Sequence, residues 1–186
     1  MEIQSVPNPD SPNNEAFEAI VELYYQTHGY ITSSGKWFWV WEQNKKQRGY
    51  QDIDVLALNG RETLIVSVTS NLDDKLRQGR DGEIKQEMLN KLNSYFNRVI
   101  EYLSTVPQYQ WLVEERDVKR VVAYNHVFKN AHKKVIPTLN ANGITTISAK
   151  DILRSLSKYI QQPNLKIQDP MLRTIQLINW NGRIEI

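Results

Sequence analysis

Residues 51–70, QDIDVLALNGRETLIVSVTS, restrict the possible folds more than any other stretch of this chain. Two runs of strand-forming residues flank Asn59-Gly60, a dipeptide suited to the type I′ turn whose twist matches that of paired strands. The segment therefore reads as an antiparallel hairpin. With Asn59-Gly60 as a two-residue loop, Asp52 lies opposite Ser67 and Asp54 opposite Ile65. Alternation at period two puts Asp52, Asp54, Ser67 and Thr69 on one face, and Ile53, Val55, Ala57, Leu64, Val66 and Val68 on the other. The second face is wholly apolar and demands a cover. The first is unusual: aspartate is disfavoured in strands, and two on one face repel unless a cation or a donor lies between them.

The remaining segments supply that cover. A helix is expected from Ser11 as N-cap, with Pro12 at the first helical position, to about His28, with Gly29 as its C-cap. Residues 30–34 and 36–41 read as extended around Gly35, with Trp37, Trp39 and Trp41 pointing one way and Phe38 and Val40 the other. Residues 71–81 are polar and charged, hence a loop. Asp81 then caps a long helix from about Gly82 to Leu103, whose buried stripe is Ile84, Met88, Leu92, Phe96, Val99 and Leu103. A strand from Lys119 to Val127, a basic helix-compatible stretch over 128–140, a short strand from Ile144 to Ile147 and a helix capped by Ser148 follow. Pro163 and Pro170 mark a linker, and TIQLINWNGRIEI reads as a second Asn-Gly hairpin. This order implies an α/β fold, a three-layer α/β/α sandwich with a mixed central sheet over residues 12–160. Residues 161–186 form a linker and β-hairpin appendage.

Composition narrows the chemistry. The 186 residues include no cysteine, which excludes disulfides, thiolate zinc sites, iron–sulfur clusters and a cysteine nucleophile. His28, His126 and His132 are too far apart in sequence to form a metal motif. The longest apolar run, Trp37 to Trp41, is far short of the roughly 20 residues that a membrane-spanning helix needs. The first fourteen residues hold no Lys or Arg, so neither a secretory nor a transit signal is expected and the location expected is cytoplasmic. Carboxylates, hydroxyls and lysines are left to carry any activity. All 23 Lys and Arg follow residue 35, whereas five acids precede it. A basic body is the electrostatic minimum for binding a phosphate backbone. A solvated surface of mixed sign is the plainer reading of the same charges.

Glu18, Gly29-Tyr30, Ser33-Ser34-Gly35, Asp52-Ile53-Asp54-Val55-Leu56-Ala57 and Val66-Ser67-Val68-Thr69 follow one another at suggestive intervals. In this the chain resembles the PD-(D/E)XK nuclease superfamily, in particular archaeal Holliday-junction resolvases and related small bacterial resolvase-like proteins. The resemblance covers residues 15–103 by motif and 119–160 by element order. It implies a restriction-endonuclease-like fold, DNA as partner, a homodimer, Mg²⁺ as cofactor and no small-molecule cofactor. Such hydrolysis uses one or two Mg²⁺ ions to polarise the phosphoryl oxygens and activate water, and Mg²⁺ takes hard oxygen ligands. The resemblance assigns Asp54 and Glu18 to the metal, with Asp52 joining them in an active enzyme, and places Asp54, Glu18, Ser67 and Thr69 at the catalytic positions. At the decisive place, however, Ser67-Val68-Thr69 stands where the superfamily has Glu-x-Lys. A hydroxyl is a poor substitute for an anionic ligand, and Thr69 has neither the charge nor the reach of lysine. Losing even one electrostatic donor costs about 3 kcal/mol of transition-state stabilisation.

Neighbours offer replacements. Asp52 supplies a second carboxylate on the same face, and Lys75 or Lys85 an amine. Glu83, Gln86 and Glu87 belong to the same pool. Lys36, Lys45, Lys46, Arg48, Arg77 and Arg80, with Lys75, suit a phosphate track if their loops share one side of the sheet. Glu15, Glu18 and Glu22 are also explained by a solvated acidic stripe, and the three tryptophans by a core or an interface. Three functions fit: a nucleic-acid-binding protein with a degenerate metal site, an active Mg²⁺-dependent DNA endonuclease with relocated residues, and a protein-interaction module docking through the tryptophan strand and terminal hairpin.

Overall fold

The computed structural model describes residues 15–41, 47–78, 83–162 and 165–180. Helix α1 (Glu15–Thr27) leads into strand β1 (Ile31–Trp41), then β2 (Gln47–Leu58) and β3 (Glu62–Asn71). A one-turn helix α2 (Leu72–Leu76) and a small two-stranded ribbon, β4 (Arg77–Gln78) with β5 (Glu83–Ile84), precede the long helix α3 (Gln86–Thr105). The chain continues through α4 (Trp111–Glu114), β6 (Asp117–His126), α5 (Lys129–Ala141), β7 (Ile144–Ser148), α6 (Ala149–Ile160) and α7 (Pro170–Trp180). The main sheet has five strands in the order β1-β2-β3-β6-β7, antiparallel from β1 to β3 and parallel from β3 to β7. Helices cover both faces. This is the three-layer α/β/α sandwich with a mixed sheet that the order of elements implies.

Each face buries its own core. On one side Leu92, Phe96 and Val99 of α3, with Leu139 of α5, pack on Ile65 and Val122 of the sheet. On the other, Val21 of α1 and Ile152 and Leu156 of α6 pack on Val55, Val66 and Val68. Local signals fix the helix ends. Gly29 adopts a φ of 82° while Tyr30 N–H donates to Tyr25 O and Gly29 N–H to Gln26 O, the Schellman arrangement that stops α1. Ser148 caps α6 by accepting the Asp151 N–H at 3.1 Å. Ser11 and Pro12, assigned to the start of α1, lie outside the described residues.

Several expectations need correction. The hairpin turn is shifted by one residue. Asn59 Oδ1 accepts the N–H groups of Arg61 (2.8 Å) and Glu62 (2.9 Å), so Gly60-Arg61 forms the tip and Leu58 pairs with Thr63. Asp52 therefore does not face Ser67; carried one step beyond the Val55–Val66 pair, this register brings Asp54 alongside Ser67. Nor does Ile53 share a face with Val55. Gly35, with a φ of 61°, sits between the pairs Ser34–Val55 and Lys36–Ile53. Ile53 packs with Phe38 toward α3, whereas Val55 packs under α1 and α6. Left-handed backbone there favours glycine.

Residues 72–76 are a helix rather than loop, because Leu72 and Leu76, one turn apart, are both fully buried among polar neighbours. The helix expected from Gly82 begins at Gln86, after the β4–β5 ribbon, with Lys85 rather than Asp81 at its cap position; Asp81 lies outside the described residues. The tail is not a β-hairpin over 174–180. It forms α7, whose Leu172 and Ile175 are buried in the same core as α6. Their spacing of three is helical, and that packing outweighs the strand propensity of TIQLINW.

Leu76→Ala is expected to lower stability by about 2–5 kcal/mol, the range for deleting a buried leucine. Loss of the Ser148 cap in Ser148→Ala is expected to cost about 1 kcal/mol. Urea denaturation of both variants checks the order of these losses, and a Leu76→Ala loss no larger than that of the cap variant contradicts the anchoring of α2.

Candidate functional site

The site begins where β2 and β3 part. Their ladder pairing runs from Leu58–Thr63 to Val55–Val66. One residue further along β2, the Asp54 side chain takes the place of a strand carbonyl: its Oδ2 accepts the Val68 N–H at 2.6 Å. A charged acceptor makes this stronger than an ordinary ladder bond. Between this point and α3 lies a cavity of about 240 Å³, lined by Asp52, Asp54, Ser67, Lys75, Met88, Lys91, Leu92 and Tyr95.

Lys75 enters from α2. Leu72 and Leu76 anchor that helix in the core, and Asp73 Oδ2 ties it to the start of α5 by accepting the N–H of Phe128, the cap residue, at 2.6 Å. So held, Lys75 Nζ donates to Ser67 Oγ at 2.7 Å. Ser67 is almost fully buried. An ammonium thus reaches the base of the cleft, where the two aspartates converge. Because it is a donor only, it suits a pocket walled by carboxylate and hydroxyl oxygens.

Electrostatics follow from burial. The Asp54 carboxyl is pushed up to about 6, mainly by removal from water, with the charge of Asp52 adding to the rise. Lys75, the Val68 N–H and the Ser67 hydroxyl pull it the other way. Lys75 is lowered by burial, against the opposing pull of Asp54 and then Asp52. Amine and carboxylate each limit the cost of the other's burial. The Tyr95 hydroxyl is buried against the backbone of Asp54. Burial first, and then the negative charges of Asp54, Asp52 and Glu18, hold it protonated.

Of the residues singled out by sequence, Asp52, Asp54, Ser67 and Lys75 come together in one cleft. Glu18 acts on the same neighbourhood through its charge on Tyr95 but does not wall the cavity. Thr69 is buried outside the cleft, where its hydroxyl donates to the Asn71 carbonyl at 3.2 Å. Lys85 is exposed at the cap position of α3 and also lies outside the walls. Lys36 is exposed on β1 and pairs with Ile53, the residue between the two aspartates. Arg48 and Arg77 belong to β2 and β4, whereas Lys45, Lys46 and Arg80 lie outside the described residues. Tyr95 and Lys91 escaped the sequence reading. Their signal was positional: with Met88 and Leu92 they fall at spacings of three and four along one face of α3.

Asp52 and Asp54 are the carboxylates that line the cleft, and no group of three or more His, Asp or Glu side chains among the described residues is placed to hold a metal. An ammonium lies against Ser67, and one Asp54 oxygen is engaged by Val68.

No protein-family model matches the chain, and no curated protein is similar to it. Among solved structures, the crystal structure of a protein of unknown function, AF1548, is similar at 15% identity and a TM-score of 0.43, over 90% of this chain and 77% of that one. No helix among the described residues is long and apolar enough to cross a membrane.

The titration of Asp54 is directly measurable. A carboxyl whose pKa is raised on folding binds its proton more tightly in the native state, so the stability it contributes falls as pH climbs from about 4 to about 6. Carboxyl-detected NMR is expected to place the Asp54 midpoint near 6, and Asp54→Asn to remove that slope from the pH dependence of thermal unfolding. In Lys75→Met, which deletes the largest influence holding the midpoint down, it moves higher. An unchanged midpoint contradicts the pairing.

Proposed function

We propose that this chain binds nucleic acid on a PD-(D/E)XK nuclease-like scaffold in which Lys75 has taken over the role of the metal ion. One observation carries the reading: the Lys75 ammonium lies 2.7 Å from Ser67 Oγ in the cleft of Asp52 and Asp54. Ser67 is the residue that stands where the resemblance calls for a glutamate ligand. A carboxylate lost there and a cation gained beside it are complementary changes. They keep the cleft near charge balance and remove the need for a divalent ion.

Binding on such a scaffold rests on phosphate contacts. Exposed Lys36, Lys85 and Lys91 are candidates for them, with Arg48 and Arg77 on nearby strands. Lys91 lines the cleft mouth and pairs with Glu87 at 2.7 Å, a largely exposed pair that a phosphate displaces at little cost. Hydrolysis would require the cleft to organise an attacking water without an ion. An amine that is already hydrogen-bonded to Ser67 and charge-coupled to Asp54 is poorly placed to do so.

The second reading, a Mg²⁺-dependent endonuclease with a relocated amine, draws on the same position of Lys75. It additionally needs Asp52 and Asp54 to hold the ion between them with water and substrate phosphate. Assays on branched, duplex and single-stranded DNA separate the two. Binding is expected to be the same in Mg²⁺ and in EDTA and to weaken steeply as salt rises, with no strand cleavage. Replacing Lys36 and Lys91 together by Ala is expected to lower affinity and flatten the salt dependence by about two units of slope. Cleavage in Mg²⁺ that Asp54→Ala abolishes overturns this reading. Absence of binding even at low salt does so as well.

A further inference from the structure

A second concavity lies on the opposite side of β2 from β3, along the free edge of the sheet. Strand β1 ends the strand order, and among the described residues only β2 pairs with it. A groove of about 530 Å³ runs between its residues 37–40 and the C-terminal half of α3. Phe38 stacks flat on Tyr102 at 4.4 Å and supplies an aromatic contact between strand and helix. Arg98, from α3, also lines the groove, and its Nε is buried with no hydrogen-bond partner among the described residues. Glu101, one turn further on, is exposed at the same groove.

An edge of this kind is normally blunted. Sheets protect unpaired backbone groups with short edge strands, proline or several charges. β1 instead spans 11 residues with a single charged residue, Lys36, and leaves Trp37 and Trp39 43% and 41% exposed in edge-to-face contact at 5.7 Å. Two needs are therefore left open side by side: a row of strand donors and acceptors, and a buried guanidinium nitrogen that lacks an acceptor. An extended chain meets both, because its backbone continues the ladder while alternate side chains enter the groove.

We propose that an extended peptide segment of a partner protein adds to β1 as a sixth strand, with an acidic side chain directed to Arg98. A second copy of this chain meets the requirement poorly, since β1 itself, ITSSGKWFWVW, carries no carboxylate to offer Arg98. Nucleic acid supplies an acceptor for Arg98 but no backbone to continue the ladder. The partner strand is apolar on the side facing Phe38 and Tyr102, acidic at Arg98, and bears a hydrogen-bond donor opposite Glu101. This docking uses none of the residues of the Asp54 cleft, and it shares only Lys36 of β1 with the proposed phosphate contacts.

The test uses the full chain and a capped nine-residue peptide alternating valine and threonine around a central glutamate, followed by tryptophan fluorescence. The glutamate peptide is expected to bind. Replacing its glutamate by lysine, or using Arg98→Met protein, is expected to weaken binding about tenfold, the loss of one charge-assisted hydrogen bond. Arg98→Lys restores part of it. N-methylation of alternate peptide amides, which spares the side chains but removes strand donors, abolishes binding. Circular dichroism of the variants checks their folding, and DNA affinity of Arg98→Met is expected to match the parent. The proposal is overturned if the glutamate peptide does not bind, if glutamate and lysine peptides bind equally, or if N-methylation has no effect. It is also overturned if sedimentation shows a dimer that Trp39→Lys dissolves, which assigns the edge to a second copy.

Discussion

The Asp54 carboxylate is the point on which the functional geometry turns. It occupies the place where the β2–β3 ladder gives way, and it replaces the missing ladder bond by accepting the Val68 N–H. A buried carboxylate is expensive unless something of opposite sign stands near it. Lys75 is that neighbour, and Ser67 orients it. Remove any one of the three and the others are left with unpaired charge or an unmatched donor in a poorly hydrated cleft. The strand separation, the cavity and the position of α2 are thus parts of a single arrangement.

The scaffold explains how so polar a group is tolerated inside a small protein. Two separate hydrophobic layers hold the sheet from both faces, and the cleft opens only at the edge of one of them, beneath α3. Helix α2 is too short to be stable alone, so its placement is set by two buried leucines and by the Asp73 contact to the backbone of Phe128. Precision at Lys75 is therefore derived from core packing, as preorganised sites generally require. At the far edge, β1 has the opposite character: Trp37 and Trp39 are exposed, and among the described residues only β2 pairs with its backbone. One side of β2 faces a self-contained charge cluster, and the other supports a surface suited to a partner.

Much of this was legible in the residues. The alternation of 51–70 gave away the hairpin and the common direction of Asp54 and Ser67, although it put Ile53 and Val55 on one face and the structure does not. The Ser148 cap and the Gly29 stop were readable locally as well. Register was not, since it hung on the Asn59 side chain capturing two N–H groups and moving the turn by one residue. That Ile53 and Val55 enter different cores, beside the left-handed Gly35 of β1, was not readable from β2 alone. Lys75 was named as one of two possible amines, yet nothing short of tertiary packing separates it from Lys85. The tail was misread because TIQLINW has strand propensity, and its helical state comes from packing on α6. Tyr95 stayed hidden among apolar neighbours on α3, where a tyrosine is easily taken for core.

The claim that an ammonium has replaced a divalent ion is tested most directly by adding Mn²⁺ during NMR observation of the Asp54 carboxyl and the Lys75 side chain. A bound paramagnetic ion broadens every signal within several ångströms of it. With Lys75 as the resident cation, both sets of signals are expected to persist through millimolar Mn²⁺ in the native chain, and the Asp54 signal to broaden once Lys75 is replaced by methionine. Selective loss of the Asp54 signal in the native chain at low Mn²⁺ would mean that a metal sits there after all.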